Sequence, residues 1–278
     1  MSEKLQERVE QLPLGPEVRV ITWNEDGLLA LDKPAGVRSH PNEEDENRPS
    51  LLEASYDFEE ECYEWVDENT GEARQAWLIN RLDSPTSGVI LLALDHELGR
   101  LIQKQFAGHH VTKVYLAIVR HPPRVASGVW SDKLQKKIYN GKRPTNSHRV
   151  VAAKARYSLV KRPIGGFPVG LLKLVPVTGR THQLRVQCKK HGHPVVGDRT
   201  YGHFAFNREV EDETGERGMM LHSSETIVHY AFHGKPKTFR AKSEMPKRFH
   251  SVLRFRPGMR TSRPESESGP LSGRRFRA

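Results

Sequence analysis

The chain has 278 residues, 36% of them hydrophobic and 28% charged, with a net charge of +10 and a mean hydropathy of −0.65. That length suits one large domain or two small ones; no stretch approaches the ~18 consecutive apolar residues of a membrane span, and two cysteines, Cys62 and Cys188, make neither a disulfide framework nor a four-ligand zinc site. The charge is uneven: residues 43–72 set thirteen carboxylates against Arg48, a local −12, so the remainder carries +22, and a basic body of that kind suits a polyanion, most simply nucleic acid.

Residues 1–16 read as an extension, "MSEKLQERVEQLPLGP", with no apolar core behind a basic start. It is not a secretory signal, and the expected location is the cytoplasm. "VRVITWNEDGLLALDKPAGVRSHP" then reads as strand, turn, strand, turn, with hairpin chemistry at Glu25-Asp26-Gly27. Residues 42–50 read as a flexible loop, and Leu51 to Trp65 as a short acidic helix. Together, 43–72 form an acidic insert in a domain spanning 17–256.

"INRLDSPTSGVILLALD" places a polar turn around Asp83 directly before an apolar run, Val89 to Leu94, which predicts a strand covered on both faces. Leu98, Leu101, Ile102 and Phe106 then recur at helical spacing, with Gly108 as C-cap. In "TKVYLAIV" Val114, Leu116 and Ile118 share one strand face, Lys113 and Tyr115 the other. Residues 133–162 are strongly basic and contain an alternating strand, "RVVAAKARYSLV". "GLLKLVPV" is another strand, and "THQLRVQCKKHGHP" a helix capped by Thr181, with His182 and Arg185 on one face. "TIVHYAFHGKPKTFRAK" reads as a hairpin turning at Gly-Lys-Pro. From 257 to 278 the chain becomes a Ser/Pro/Gly/Arg tail of net +3, expected to be disordered. Strands outnumber helices and come as hairpins, so the expected class is α+β with a largely antiparallel sheet.

An aspartate before Ser-Pro is ordinarily a turn former, and an i, i+2 Lys/Tyr pair an ordinary strand face. The fourteen histidines include His182, His191 and His193, which lack partners at metal-ligand spacing. No P-loop, G-x-G-x-x-G or G-x-S-x-G is present.

Set together, "RLDSPTSGVILLA", "KVYLAIV", "VTGRTHQLRVQCKKHGHPVVGDRTYG" and the earlier "LLALDKPAGVRSHP" resemble the ordered motifs of the RluA family of pseudouridine synthases, from about residue 18 to about 250. The resemblance implies the pseudouridine synthase fold, a mixed, largely antiparallel sheet with flanking helices and a central RNA-binding cleft. A single catalytic domain is expected, with no S4-type RNA-binding domain ahead of it, unlike in many members of the family. It places the family's catalytic aspartate at Asp83, its arginine partner at Arg185 and its uracil-facing tyrosine at Tyr115. Arg81 would fill the gap left by an extruded base, and Lys113, Arg180 and His182 would line the cleft or contact RNA. Asn80 stands where the family has histidine. Neither metal nor other cofactor is expected, and the chain is expected to act as a monomer on structured RNA, ribosomal or transfer. Three chemical routes fit: attack by Asp83 at C1′, removal of a 2′ proton, or addition to the base. The competing readings are a non-catalytic RNA-binding protein on the same fold and a glycosidase-like hydrolase, which would want a second acid.

Overall fold

The computed structural model describes residues 3–41, 48–140 and 143–258. Five helices and twelve strands follow in chain order: α1 (Glu3–Glu10), β1 (Arg19–Trp23), β2 (Leu28–Lys33), β3 (Ser55–Asp57), β4 (Cys62–Val66), β5 (Ala73–Leu78), β6 (Ser87–Ala93), α2 (His96–Ala107), β7 (Thr112–Arg120), β8 (Ser127–Asn140), β9 (Arg143–Lys161), β10 (Val169–Pro176), α3 (Gln183–Lys190), α4 (Phe204–Thr214), β11 (Leu221–Phe232), β12 (Lys235–Lys242) and α5 (Lys247–Arg254). No helix among the described residues is long and apolar enough to cross a membrane.

All twelve strands join one sheet, in the order β3-β4-β5-β6-β11-β7-β10-β9-β8, with β1-β2 branching from β6 and β12 from β11. Two strand families meet at its centre. β6 and β11 pair in parallel over two positions only, Ser87 with His222 and Gly88 with Ser223; the other pairings between named strands are antiparallel. The contact is so close that a Cβ on Gly88, which has φ +105, would lie 2.1 Å from the Ser223 carbonyl oxygen. Only glycine fits there. β6 is buried at every position, as its unbroken apolar run predicts.

The helices cover this sheet with their apolar faces. α2 begins at Asp95, whose carboxylate accepts the Leu98 amide, a standard N-cap. It buries Leu98 and Ile102 against Val89, Leu91 and Val228, each worth roughly 1.5–3 kcal/mol of apolar burial. α3 packs Leu184 and Cys188 on β7 and β10; α4 and α5 bury Phe206, Val210, Phe249 and Val252 on the opposite face.

Three local expectations are corrected. Residues 51–65 are not helical: β3 and β4 form a hairpin in which Tyr56 opposes Tyr63, their rings 4.9 Å apart and nearly perpendicular. That cross-strand aromatic pair and the Asp57 carboxylate, which accepts the Glu59 and Glu60 amides, select a turn over a helix. The last hairpin turns at His233-Gly234, with Phe232 opposite Lys235 and φ of 49° and 72°, the geometry of a type I′ turn. α3 is entered through His182 in the left-handed region without a side-chain cap, not through Thr181. The loop expected over 42–50 lies mostly, and the tail 257–278 almost wholly, outside the described residues.

Candidate active site

The turn carrying Asp83 closes through the Thr86 amide on the Asp83 carbonyl, 2.8 Å. It is bound on one side to β6, where Asn80 Oδ1 accepts the Leu91 amide at 3.0 Å. On its other side it docks on the Lys33–Ser39 segment. Ser39 Oγ donates to the Leu82 carbonyl and accepts the Leu82 amide, Ser84 Oγ donates to the Gly36 carbonyl, and the Gly36 amide donates back to Ser84. Lys33 is fully buried beneath, its ammonium donating to the carbonyls of Pro34, Val37 and Ser84. Burial, opposed in part by the nearby Asp83 charge, brings its pKa down to about 7. The Lys-Pro-Ala-Gly motif is thus the seat of the turn.

The partner arrives from the other half of the molecule. Arg185, on the first turn of α3, donates through Nη1 to Asp83 Oδ2 at 2.9 Å. Its remaining edge is held by Asp198, Nε to Oδ2 at 2.7 Å and Nη2 to Oδ1 at 2.9 Å. The bidentate fork fixes the guanidinium plane. Asp198 also accepts the Thr200 and Tyr201 amides. Burial opposes both charges, yet the mutual bonds prevail: the Arg185 pKa is raised, by Asp198 before Asp83, and that of Asp198 is lowered. The Tyr201 ring lies 5.1 Å from the guanidinium carbon, and its hydroxyl is 3.1 Å from His182 Nδ1. His182 Nε2 approaches Asp83 Oδ1 at 3.7 Å.

These groups open into a cleft of about 850 Å³, whose lining includes Arg81, Asp83, Lys113, Tyr115, Arg180, His182 and Arg185. All seven residues singled out in the sequence therefore meet in one place. Burial raises the Tyr115 pKa to about 12, moderated by a Ser223 hydrogen bond and reinforced by the Asp83 charge. Burial likewise lowers the Lys113 pKa. Arg180 stands exposed at the rim, its Nε donating to the Ala152 carbonyl. Gln183 organises its loop, Oε1 accepting from Thr178 Oγ1 at 2.6 Å and from the Arg180 amide at 3.0 Å.

The basic hairpin β8–β9 is rooted at this rim. Its backbone at Lys154 accepts from Gln183 Nε2 and from the Val177 amide. β10 pairs with β9 only from Ala155 to Lys161, while β8 and β9 pair onward to Asn140 and Arg143. The hairpin therefore outruns the sheet, with Lys133, Arg149, Lys154 and Arg156 exposed. Sequence reasoning assigned no role to Lys33, Asp198 or Tyr201. All three stand inside the motifs named above, but what each meets is settled by partners distant in sequence.

The site is thus a buried guanidinium that presents one carboxylate to a cleft lined by further cations, on a sheet joined from two antiparallel halves. Two solved structures share the fold: Human RNA Pseudouridylate Synthase Domain Containing 4, with a TM-score of 0.60 and 20% identity, covering 90% of this chain and 94% of that one, and Human RNA Pseudouridylate Synthase Domain Containing 1, with a TM-score of 0.57 and 22% identity, covering 82% and 84%. Residues 27–190 match the RNA pseudouridylate synthase family, and the chain belongs to it. A tRNA pseudouridine synthase C of Haemophilus ducreyi is 33% identical over 228 residues, 78% of this chain and 86% of that protein. Another, of Pectobacterium carotovorum subsp. carotovorum, is 30% identical over 239 residues, 81% of this chain and 59% of that protein's length.

Proposed function

We propose that this chain isomerises uridine to pseudouridine in structured RNA, with transfer RNA as the substrate class, and that Asp83 is its catalytic group. The observation carrying this reading is the 2.9 Å pair between Asp83 Oδ2 and Arg185 Nη1 in a cleft shared with Tyr115. The names of the curated relatives favour transfer over ribosomal RNA.

In the reaction the N1–C1′ bond breaks, the uracil turns, and C5 bonds to C1′. The proton on C5 leaves and N1 gains one, so atoms and oxidation state balance without a cofactor. Arg185 keeps Asp83 ionised and aims it, which serves attack at C1′, abstraction of a 2′ proton or addition to the base equally. Tyr115 lies flat against the uracil and assists proton removal at C5. With its pKa near 12 it is a neutral phenol in the resting site. A stacked uridine must first leave its helix, at a cost of a few kcal/mol. Arg81, exposed at the mouth, fills the vacated space. His182 steadies the second oxygen of Asp83, while Lys113 and Arg180 meet the phosphates of the extruded nucleotide. The hairpin β8–β9 docks the surrounding RNA by charge. The catalytic unit is 17–256, acting as a monomer in the cytoplasm, where transfer RNA is abundant.

The test is tritium release from 5-³H-uridine-labelled transfer RNA. The wild-type chain releases tritium and Asp83→Ala does not, while RNA affinity changes by less than about twofold because phosphate contacts dominate it. An active Asp83→Ala enzyme overturns the reading, and free uracil in the product replaces it with hydrolysis.

A further inference from the structure

Beside the catalytic turn lies an aromatic cluster that the chemistry above does not use. His40 stacks on Tyr56, ring centroids 5.0 Å apart and planes 16° from parallel. Phe58 stands edge-on to both, at 5.8 Å and 5.2 Å. Tyr56 is anchored on the core behind it, whereas Phe58 is 46% exposed and belongs to no core cluster. The cluster is tied to the cleft: Arg81 Nη1 donates to His40 Nε2 at 3.5 Å, and Arg81 lines the cleft mouth.

We propose that His40, Tyr56 and Phe58 form a stacking platform for the nucleobase next to the target uridine in the same strand. This rests on the reading of the cleft as the uridine site. Extruding a uridine breaks the stacking of its neighbours, and these rings adjoin the cleft mouth through the Arg81–His40 contact. Every base has a π face, and an aromatic side chain replaces a lost base neighbour. The surroundings select a base over a phosphate. Glu59 is exposed at the same hairpin turn, so it repels the backbone and can accept from the N–H edge of a neutral base, while Glu60 beside it is held by Arg100 at 2.7 Å. The basic arm β8–β9 and Arg180, which bonds to it at Ala152, offer the phosphates their cations instead. The acidic, aromatic hairpin thereby sets which side of the strand faces inward.

The experiment uses a stem–loop taken from a transfer RNA that the wild-type chain modifies, with 2-aminopurine placed in turn on each side of the target uridine. Binding of the wild-type chain quenches the probe at one of the two positions. Phe58→Ala removes most of that quenching and raises KM about tenfold, within the range for losing one stacked base. The single-turnover rate at saturating RNA stays within about threefold, and Phe58→Trp restores the quenching. Absence of quenching at both positions, or equal quenching by Phe58→Ala, overturns the platform, as does a Phe58→Ala effect confined to binding of another protein. Tritium release tells this apart from failure of the underlying reading: release without quenching sinks the platform alone, and no release from any transfer RNA sinks both.

Discussion

Asp198 and Asp83 both hold Arg185, but the structure makes their roles unequal. Asp198 is fully buried and takes two of the guanidinium's bonds, while the Asp83 side chain is 26% exposed and takes one. In Asp198→Asn an oxygen kept at the Oδ1 position still accepts Arg185 Nη2 and the Thr200 and Tyr201 amides, but the negative charge and the Oδ2 acceptor are lost. The new NH₂ group also confronts a donor, since Arg185 Nε sits 2.7 Å from one carboxylate oxygen. Leaving a buried charge without its partner costs about 3–5 kcal/mol. At about 2–4 °C per kcal/mol for a chain of this size, Tm falls by roughly 6–20 °C. Asp83→Asn loses one bond at a site that cleft water reaches, and Arg185 keeps its fork to Asp198. The expected cost is below about 1 kcal/mol. Urea unfolding of both variants beside tritium release reads the contrast: both lose activity, and only Asp198→Asn loses stability. Equal stabilities, or the reverse order, would refute the view that Asp198 anchors the arginine and Asp83 merely receives it.

Two further outcomes follow from charge and burial. RNA affinity should weaken steeply with salt, and each of Lys133→Ala, Arg149→Ala and Arg156→Ala should lower the slope of log K against log salt by about 1 if its cation meets a phosphate; unchanged slopes would remove the arm from the docking face. His222 is buried with Nδ1 2.9 Å from Ser87 Oγ, and burial, only partly offset by the Ser243 carbonyl and the Asp32 charge and aided by Arg248, lowers its pKa to about 4. The unfolded chain therefore binds the extra proton first, so this contribution is present above pH ~6.5 and is lost as pH falls toward 4, by up to about 3 kcal/mol. Calorimetry of His222→Gln across that window should show a correspondingly smaller loss, and an identical profile would place the acid sensitivity elsewhere.

Much of this architecture was legible because its signals are local. The unbroken apolar run of β6, the alternation of β7 and the 3–4 spacing of α2 each state a burial pattern directly. The seven candidate residues stand out because they sit in ordered motifs, and the geometry brings them into one cleft. What escaped depends on distant partners. Nothing near Asp198 announces that it will meet Arg185, and Lys33 is explained only by three carbonyls, one of them 51 residues away. The helix expected over 51–65 failed for a similar reason: the Tyr56–Tyr63 pairing is a cross-strand fact, invisible to helical periodicity. α1, α4 and α5 went unread, since their short apolar faces make sense only against the sheet they cover.

The seam at Gly88 and Ser223 has a consequence for how the molecule comes into being. Asp83 and Arg185 are separated by 102 positions, and the strand that unites their halves, β11, follows both. At ~5–20 residues per second of synthesis, a nascent polypeptide carries its aspartate for many seconds before the arginine emerges and the seam can close. A newborn copy therefore lacks the Asp83–Arg185 pair, and the cleft built around it, until the second half-sheet docks.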